Sequence, residues 1–393
     1  MAREGREPAM SKFMGNDQPS ALSRRKFLAG SASAVAATAA AGNAGAASTS
    51  SQAGAPVAAG PAAQNPAGEL RHANPRYRSR MRLGLFTWPF NDKPLGWVLD
   101  YARQLKLEML ELGAGNDPGA AHCPVESLLS DAGARRRYLK QFADHGLGIS
   151  ALSCHGNPLH PDPKLARARN AVYERTLKLA ELLEVPVVNC FSGCPGDDRG
   201  GGRPNWVVSL ETPEYVNLLR WQWEERVVPY WREAARLAAR HGRRVGLEFD
   251  PGYAVFNVNS LLRLRSATND AIGCNLDLSN MFAQGVEAEA VIRALASAGA
   301  LFHFHAKDAV LDETNIAVNG LLDTTPYDRV GRRSWSYAAV GYGHDELYWK
   351  RILAALKTAG YDYTLSIEHE DPITAPEVGV RLSAEFLHSI LLR

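Results

Sequence analysis

Cysteines number only five in 393 residues, an odd count with no pair of closely spaced doublets of the kind that binds zinc. Several lie in apolar, strand-like runs, so buried free thiols are expected. A Cys190–Cys194 bridge stays open in an oxidising compartment. Charge of one sign is missing too: 44 basic and 42 acidic residues are interspersed and leave a net charge of +2. No basic stripe with interleaved aromatics is present, which excludes a nucleic-acid groove. A membrane-spanning run is also absent, because the one apolar stretch near the N-terminus is short and rich in Ala and Gly. Finally, no glycine-rich phosphate loop follows the first strand-like run. Thr87-Trp88-Pro89-Phe90 stands there, which argues against an open, doubly wound nucleotide fold.

What is present begins with an address. Ser23-Arg24-Arg25-Lys26-Phe27-Leu28 leads into a small-residue apolar run over 28–41 and then Ala44-Gly45-Ala46, an A-x-A cleavage site. Charged, apolar and small-residue regions in that order predict a secretion signal over 1–46, and the paired arginines mark the twin-arginine route. A disordered basic tail is the plainer alternative. Export through that machinery to the periplasm or beyond is the expectation. Residues 47–78 are rich in Ala, Gly, Pro, Ser and Gln without hydrophobic period, and read as a flexible spacer. Residues 79–393 remain, enough for one closed barrel.

Over that stretch, short apolar runs alternate with amphipathic segments. Candidate strands are 82–87, 107–112, 148–154, 186–191, 244–249, 272–277, 301–305 and 363–368. Trp97, Val98, Tyr101 and Leu105 make one helical stripe; Val227, Val228, Trp231, Ala235 and Ala238 make another, kinked or started by Pro229. Gly146, Gly242, Gly299 and Gly360 stand where a left-handed residue would end a helix just before a strand. Eight strand–helix repeats predict an α/β fold, a (β/α)8 TIM barrel. Two long connections, 192–213 and 309–344, then lie over the mouth of the barrel, where long ordered loops form walls or lids.

The chemistry is written at strand ends. Gly246-Leu247-Glu248, Asn275-Leu276-Asp277, Phe302-His303-Phe304-His305 and Ser366-Ile367-Glu368 close four consecutive strands. Side chains alternate along a strand, so Glu248, Asp277, His305 and Glu368 can all face the axis while Leu247, Leu276, Phe304 and Ile367 face the helices. Acids at strand ends often merely cap the next helix. Four in phase favour a site, since three converging carboxylates require a cation among them. The oxygen-rich set suits Mn²⁺, Mg²⁺ or Co²⁺ and tolerates Zn²⁺. Two residues earlier on the same face stand Gly246, Asn275, His303 and Ser366. Three are polar where a barrel normally packs Val or Ile, which predicts a layer that hydrogen-bonds and orients the ligands.

Taken as an ordered set, these segments, together with His305-Ala306-Lys307-Asp308, resemble the sugar phosphate isomerase/epimerase superfamily, the xylose-isomerase-like barrels. The resemblance covers roughly residues 80–393. It implies one divalent ion held by Glu248, Asp277, His305 and Glu368. It also implies that Glu248 and Glu368 act as the acid/base pair on opposite faces of a substrate, as in ketose epimerases. Two positions depart from the epimerase pattern: Asn280 stands where many members carry histidine, and no arginine follows the Lys307-Asp308 pair. Both weigh against a strict ketose 3-epimerase. Endonuclease members need further histidines for three zinc ions, and hydride-shift isomerases need a second metal whose ligands are not evident.

Further candidate substrate contacts are His155, Glu111, Lys307, Asp308, Trp88 and Trp335. Each has a plainer alternative: a backbone-bonded loop histidine, a helix cap at Glu111, a Lys307–Asp308 ion pair, and core aromatics. The function expected is isomerisation or epimerisation of a sugar, with a small-molecule sugar or keto-glycoside as partner. A 3-keto-glycoside lyase or hydratase would use the same residues, and a non-catalytic carbohydrate-binding barrel would keep only the architecture.

Overall fold

The computed structural model of the protein describes residues 80–391. The signal and the spacer read from the sequence both lie outside them. Among the described residues, no helix is long and apolar enough to cross a membrane.

Eight parallel strands close into a barrel. In chain order they are β1 (Arg82–Phe86), β2 (Met109–Gly113), β3 (Gly148–Ser153), β4 (Val187–Cys190), β5 (Arg244–Glu248), β6 (Ile272–Asp277), β7 (Leu301–Ala306) and, after an inserted hairpin, β10 (Thr364–Ile367), which pairs with both β7 and β1. The intervening helices cover the outside, so each strand is apolar on its outer face. Leu247, Leu276, Phe304 and Ile367 are fully buried there, with Trp231 and Trp349 among the largest side chains in the layer.

Helix ends explain where strands begin. Gly146, Gly242, Gly299 and Gly360 have φ of 72, 63, 59 and 77°, the left-handed region that ends a helix. Two other helices end without glycine: Lys106 (φ 55°) and Glu184 (φ 56°) take the same conformation. At Lys106 this carries Leu107 into the turn, where its N–H donates to Ala102 O. The second strand therefore starts at Met109, two residues later than the apolar run predicts. Pro229 lies in the first turn of the helix Val228–Arg240, directly after a π-helical segment, Gln222–Val227. The missing proline N–H is tolerated at that point, and the wide turn precedes it.

The connection over 309–344 is not a plain loop. β8 (Asp308–Leu311) and β9 (Trp335–Ala338) pair antiparallel in a separate two-stranded sheet, with the helix Glu313–Asn319 between them. Only Lys307 separates β8 from β7. Asp308 anchors the far end: its carboxylate accepts from the N–H groups of Gly341 (3.0 Å), Gly343 (3.2 Å) and His344 (3.1 Å) and from Trp349 Nε1 (2.9 Å). His344 Nδ1 lies 2.7 Å from it. The connection over 192–213 is likewise tied down, by Trp231 Nε1 donating to Ser192 O at 2.9 Å and Asn157 Nδ2 to Cys194 O at 2.8 Å. All five cysteines are buried and unpaired, so Cys190 and Cys194 form no bridge.

Removing the Asp308 carboxylate leaves several buried donors without an acceptor. Asp308→Ala should lower the unfolding free energy by about 3 kcal/mol or more in urea denaturation. A loss below about 1 kcal/mol would mean that the hairpin does not depend on this anchor.

Candidate metal centre

The alternation along β5, β6, β7 and β10 delivers four side chains to one point at the C-terminal rim. Donor atoms of Glu248, Asp277, His305 and Glu368 all lie within 4.8 Å of one another, and all four residues are buried. Asp277 also caps the helix Leu278–Phe282: its Oδ1 accepts from Ser279 N and Oγ, both at 2.8 Å. Its Oδ2 points to the cluster, 3.3 Å from Lys307 Nζ. Capping and site-building are here two oxygens of one carboxylate.

His305 is the hub. Nδ1 lies 2.8 Å from Glu368 Oε2 and 3.4 Å from Glu248 Oε2, while Nε2 lies 2.9 Å from Glu111 Oε2 on the interior side. Phe86 stacks on the imidazole with ring centroids 5.6 Å apart. Asn275 Nδ2 donates to Glu248 Oε2 at 3.1 Å and sits 3.2 and 3.4 Å from the two ring nitrogens of His305. His303 Nδ1 lies 3.0 Å from Asn275 Oδ1, and Ser366 Oγ donates to Glu111 Oε2 at 2.8 Å. A Cβ on Gly246 would come within 2.5 Å of Asn189 Oδ1 and 3.1 Å of Asn275 Cβ, so the glycine leaves room for this polar layer.

The charges respond to one another. Burial alone would raise Glu368, but Lys307 and His305 hold its carboxyl down at about 2. Burial and then Glu368 push Glu248 upward against the pull of His305 and His155. Burial opposes protonation of His305, yet Glu111, Glu368 and Glu248 together keep its pKa well above the ordinary histidine value. His303, one layer deeper, is pushed down to about 4 by burial and stays neutral.

Lys307 is threaded among the acids. Its ammonium lies 3.4 Å from Glu368 Oε2, contacts Glu370, and sits 4.1 Å from the centre of the Tyr337 ring. It does not pair with Asp308, which faces away into the hairpin anchor. Asp308 is therefore not placed against substrate. Glu111 is neither a pocket residue nor a helix cap: it is fully buried inside the barrel. Both corrections have one cause, since each carboxylate is consumed by donors from its own interior. Trp335 packs between Tyr327, Tyr337 and the Arg333 guanidinium, away from the cavity. His155 and Trp88 do reach the cavity, and His155 Nε2 lies 3.0 Å from Glu248 Oε2 rather than on backbone.

The cavity over the cluster encloses about 510 Å³. Its walls add residues the strand-end reading missed: Asp250, Glu370 and Asp371 on the polar side, Phe191, Tyr327 and Tyr337 on the aromatic side. Asp250 and Glu370 stand two positions beyond Glu248 and Glu368, so the same alternation, extended past the strand ends, would have found them. Burial and then Glu248 raise the Asp250 carboxyl to about 8. The tyrosines come from the hairpin and had no sequence signal. Asn280 lines the cavity as well, linking Tyr337 Oη (2.9 Å) to Asp277 Oδ2 (3.2 Å).

Three carboxylates, one imidazole and an ammonium drawn in among them mark a place that calls for positive charge. The donor set fits a single hard divalent cation.

The chain is 33% identical over 310 residues to Uncharacterized protein YfiH of Bacillus subtilis (strain 168), covering 78% of this chain and 98% of that one. Among solved structures, the probable 3-DHS dehydratase AsbF of Bacillus anthracis shares the fold at TM-score 0.54 and 16% identity, over 78% of this chain and 99% of its own. D-Psicose 3-epimerase of Clostridium cellulolyticum H10 shares it at TM-score 0.50 and 14% identity, over 80% and 100%. Residues 99–390 match the family model described as xylose isomerase-like TIM barrel, and the chain belongs to that family.

Proposed function

We propose that this protein is a divalent-metal-dependent sugar isomerase or epimerase, exported by the twin-arginine route. The observation that carries the reading is the convergence of Glu248, Asp277, His305 and Glu368 beneath a cavity of sugar-binding size. When bound there, a divalent ion supplies Lewis acidity, polarising a carbonyl oxygen and stabilising the enediolate charge. The protein's own groups do the rest. Glu248 and Glu368 take and return the proton on the carbon beside the carbonyl. His155, against Glu248, and Asn275, bonded to the same oxygen, fix where that carboxylate points. Asn280, whose Nδ2 gives one N–H to Asp277, has a second to offer a substrate oxygen at the cavity wall.

The charge of the cavity favours a neutral sugar over a phosphorylated one. Glu370 and Asp371 add to the carboxylates of the cluster, and the one lysine of the lining is already shared by three acids. An incoming phosphate would meet repulsion with no arginine to answer it. The aromatic wall supports the second reading, a lyase or hydratase on a 3-keto-glycoside, because it offers an apolar face to a substituent beyond the sugar ring. In that case enolisation beside the keto group expels the substituent two carbons away, and the same glutamates move the proton.

Elemental mass spectrometry on the mature protein, beginning near Ala47, should find about one Mn, Mg, Co or Zn per chain, and Asp277→Asn should lose it. Metal in neither protein after incubation with each ion would remove the basis for the mechanism. On a panel of neutral sugars in D₂O, a turned-over sugar should carry solvent deuterium, and Glu248→Gln or Glu368→Gln should slow that exchange by about 10²–10⁴-fold. Release of an aglycone with an enone product would instead select the lyase reading.

A further inference from the structure

Glu111 is the acid with no place in the reaction above. It sits in β2 on the inner face of the barrel, fully buried and outside the cavity lining. Both of its oxygens are fully engaged. Oε1 accepts from Ser153 Oγ at 2.5 Å and Asn189 Nδ2 at 2.9 Å; Oε2 accepts from Ser366 Oγ at 2.8 Å and faces His305 Nε2 at 2.9 Å. Four donors from β3, β4, β10 and β7 thus hold one carboxylate at the barrel axis. Nothing is left for a sugar hydroxyl.

The partner that matters is His305. Its two nitrogens face opposite tasks: Nε2 turns to Glu111, and Nδ1 turns to Glu368 and Glu248. A neutral imidazole carries one proton and one lone pair, and the hydrogen bond at one nitrogen decides what the other presents. To bind a cation His305 must give up its Nδ1 proton; with the remaining proton on Nε2, aimed at Glu111, it presents the Nδ1 lone pair to the cluster. The neighbouring His303 does not compete for this role. Its Nδ1 is 3.9 Å from Glu111 Oε2, and closer to Asn275 Oδ1 at 3.0 Å and Asn189 Nδ2 at 3.3 Å.

We propose that Glu111 is a positioning residue for cation binding: it holds the His305 Nε2–H within the barrel so that Nδ1 is left as the ligand atom. The cation affinity of the rim then depends on a carboxylate that never touches the cation. This rests on the metal-binding part of the proposed function and not on which sugar is turned over.

The test is the Mn²⁺ affinity of wild type and Glu111→Gln by titration calorimetry, with thermal unfolding of both without added metal as the control for folding. The amide keeps the volume and removes the charge. The expected result is a folded variant whose Kd for Mn²⁺ is weaker by about 10–100-fold. A folded variant within about twofold of wild type overturns the inference. Should the variant fail to fold, ¹⁵N NMR of the Zn²⁺-loaded wild type decides: a protonated Nε2 and a metal-bound Nδ1 on His305 are expected, and the reverse assignment overturns the inference. A wild type that takes up neither ion overturns the proposed function and this inference together. A wild type that binds both ions, beside a variant that binds equally well, overturns this inference alone.

Discussion

The structure turns on the way buried negative charge is answered by buried hydrogen-bond donors. Glu111, Glu248, Asp277 and Glu368 lie in one continuous interior, and an isolated carboxylate there would cost several kcal/mol. His305 and Lys307 supply the positive charge, one from within a barrel strand and one from just past its end. Around them Ser153, Asn189, Asn275 and Ser366 supply neutral donors at the depth where a barrel would otherwise pack branched aliphatics. The barrel is therefore apolar on its outside and polar through much of its centre. Its stability must come from the strand–helix layer, where Leu247, Leu276, Phe304 and Ile367 are sealed.

The hairpin extends that arrangement into the mouth. Because β8 begins one residue after β7, Lys307 is fixed by a barrel strand on one side and a two-stranded sheet on the other. The Asp308 anchor then fixes the return of the chain through 341–344. Tyr337, carried back by β9, covers the lysine and bonds to Asn280. A barrel mouth normally built from loops has here a wall with regular hydrogen bonding, and long side chains in it have fewer conformations to lose.

Much of this was legible in the sequence, for physical reasons. Eight apolar runs separated by helical stripes can close only a few ways. The phase of Glu248, Asp277, His305 and Glu368 follows from a period of two that no loop can disturb. The shift of β2 was not legible, because Lys106 ends its helix in a conformation that sequence usually reserves for glycine. Glu111 was visible as a strand acid, yet the four donors that surround it come from four other strands, and registers slip at Leu110/Glu111 against β3 and at Cys274/Asn275 against β7. The hairpin was hidden because Asp308–Leu311 is only four residues and reads as the start of a loop. Partners brought together across the barrel leave no local pattern.

The five buried thiols have a consequence of their own. Burial raises Cys154 and Cys123 to about 12 and Cys194 to about 11, and pushes Cys190 and Cys274 well above the ordinary thiol value. Disulfide exchange and oxidation proceed through the thiolate, which these side chains scarcely form while the fold is intact. An oxidant would meet no nucleophilic sulfur on the folded barrel, whereas an unfolded chain would expose all five to mispairing. For a protein of this composition, the order of events matters: folding first and meeting an oxidising environment second is the sequence that keeps every cysteine reduced.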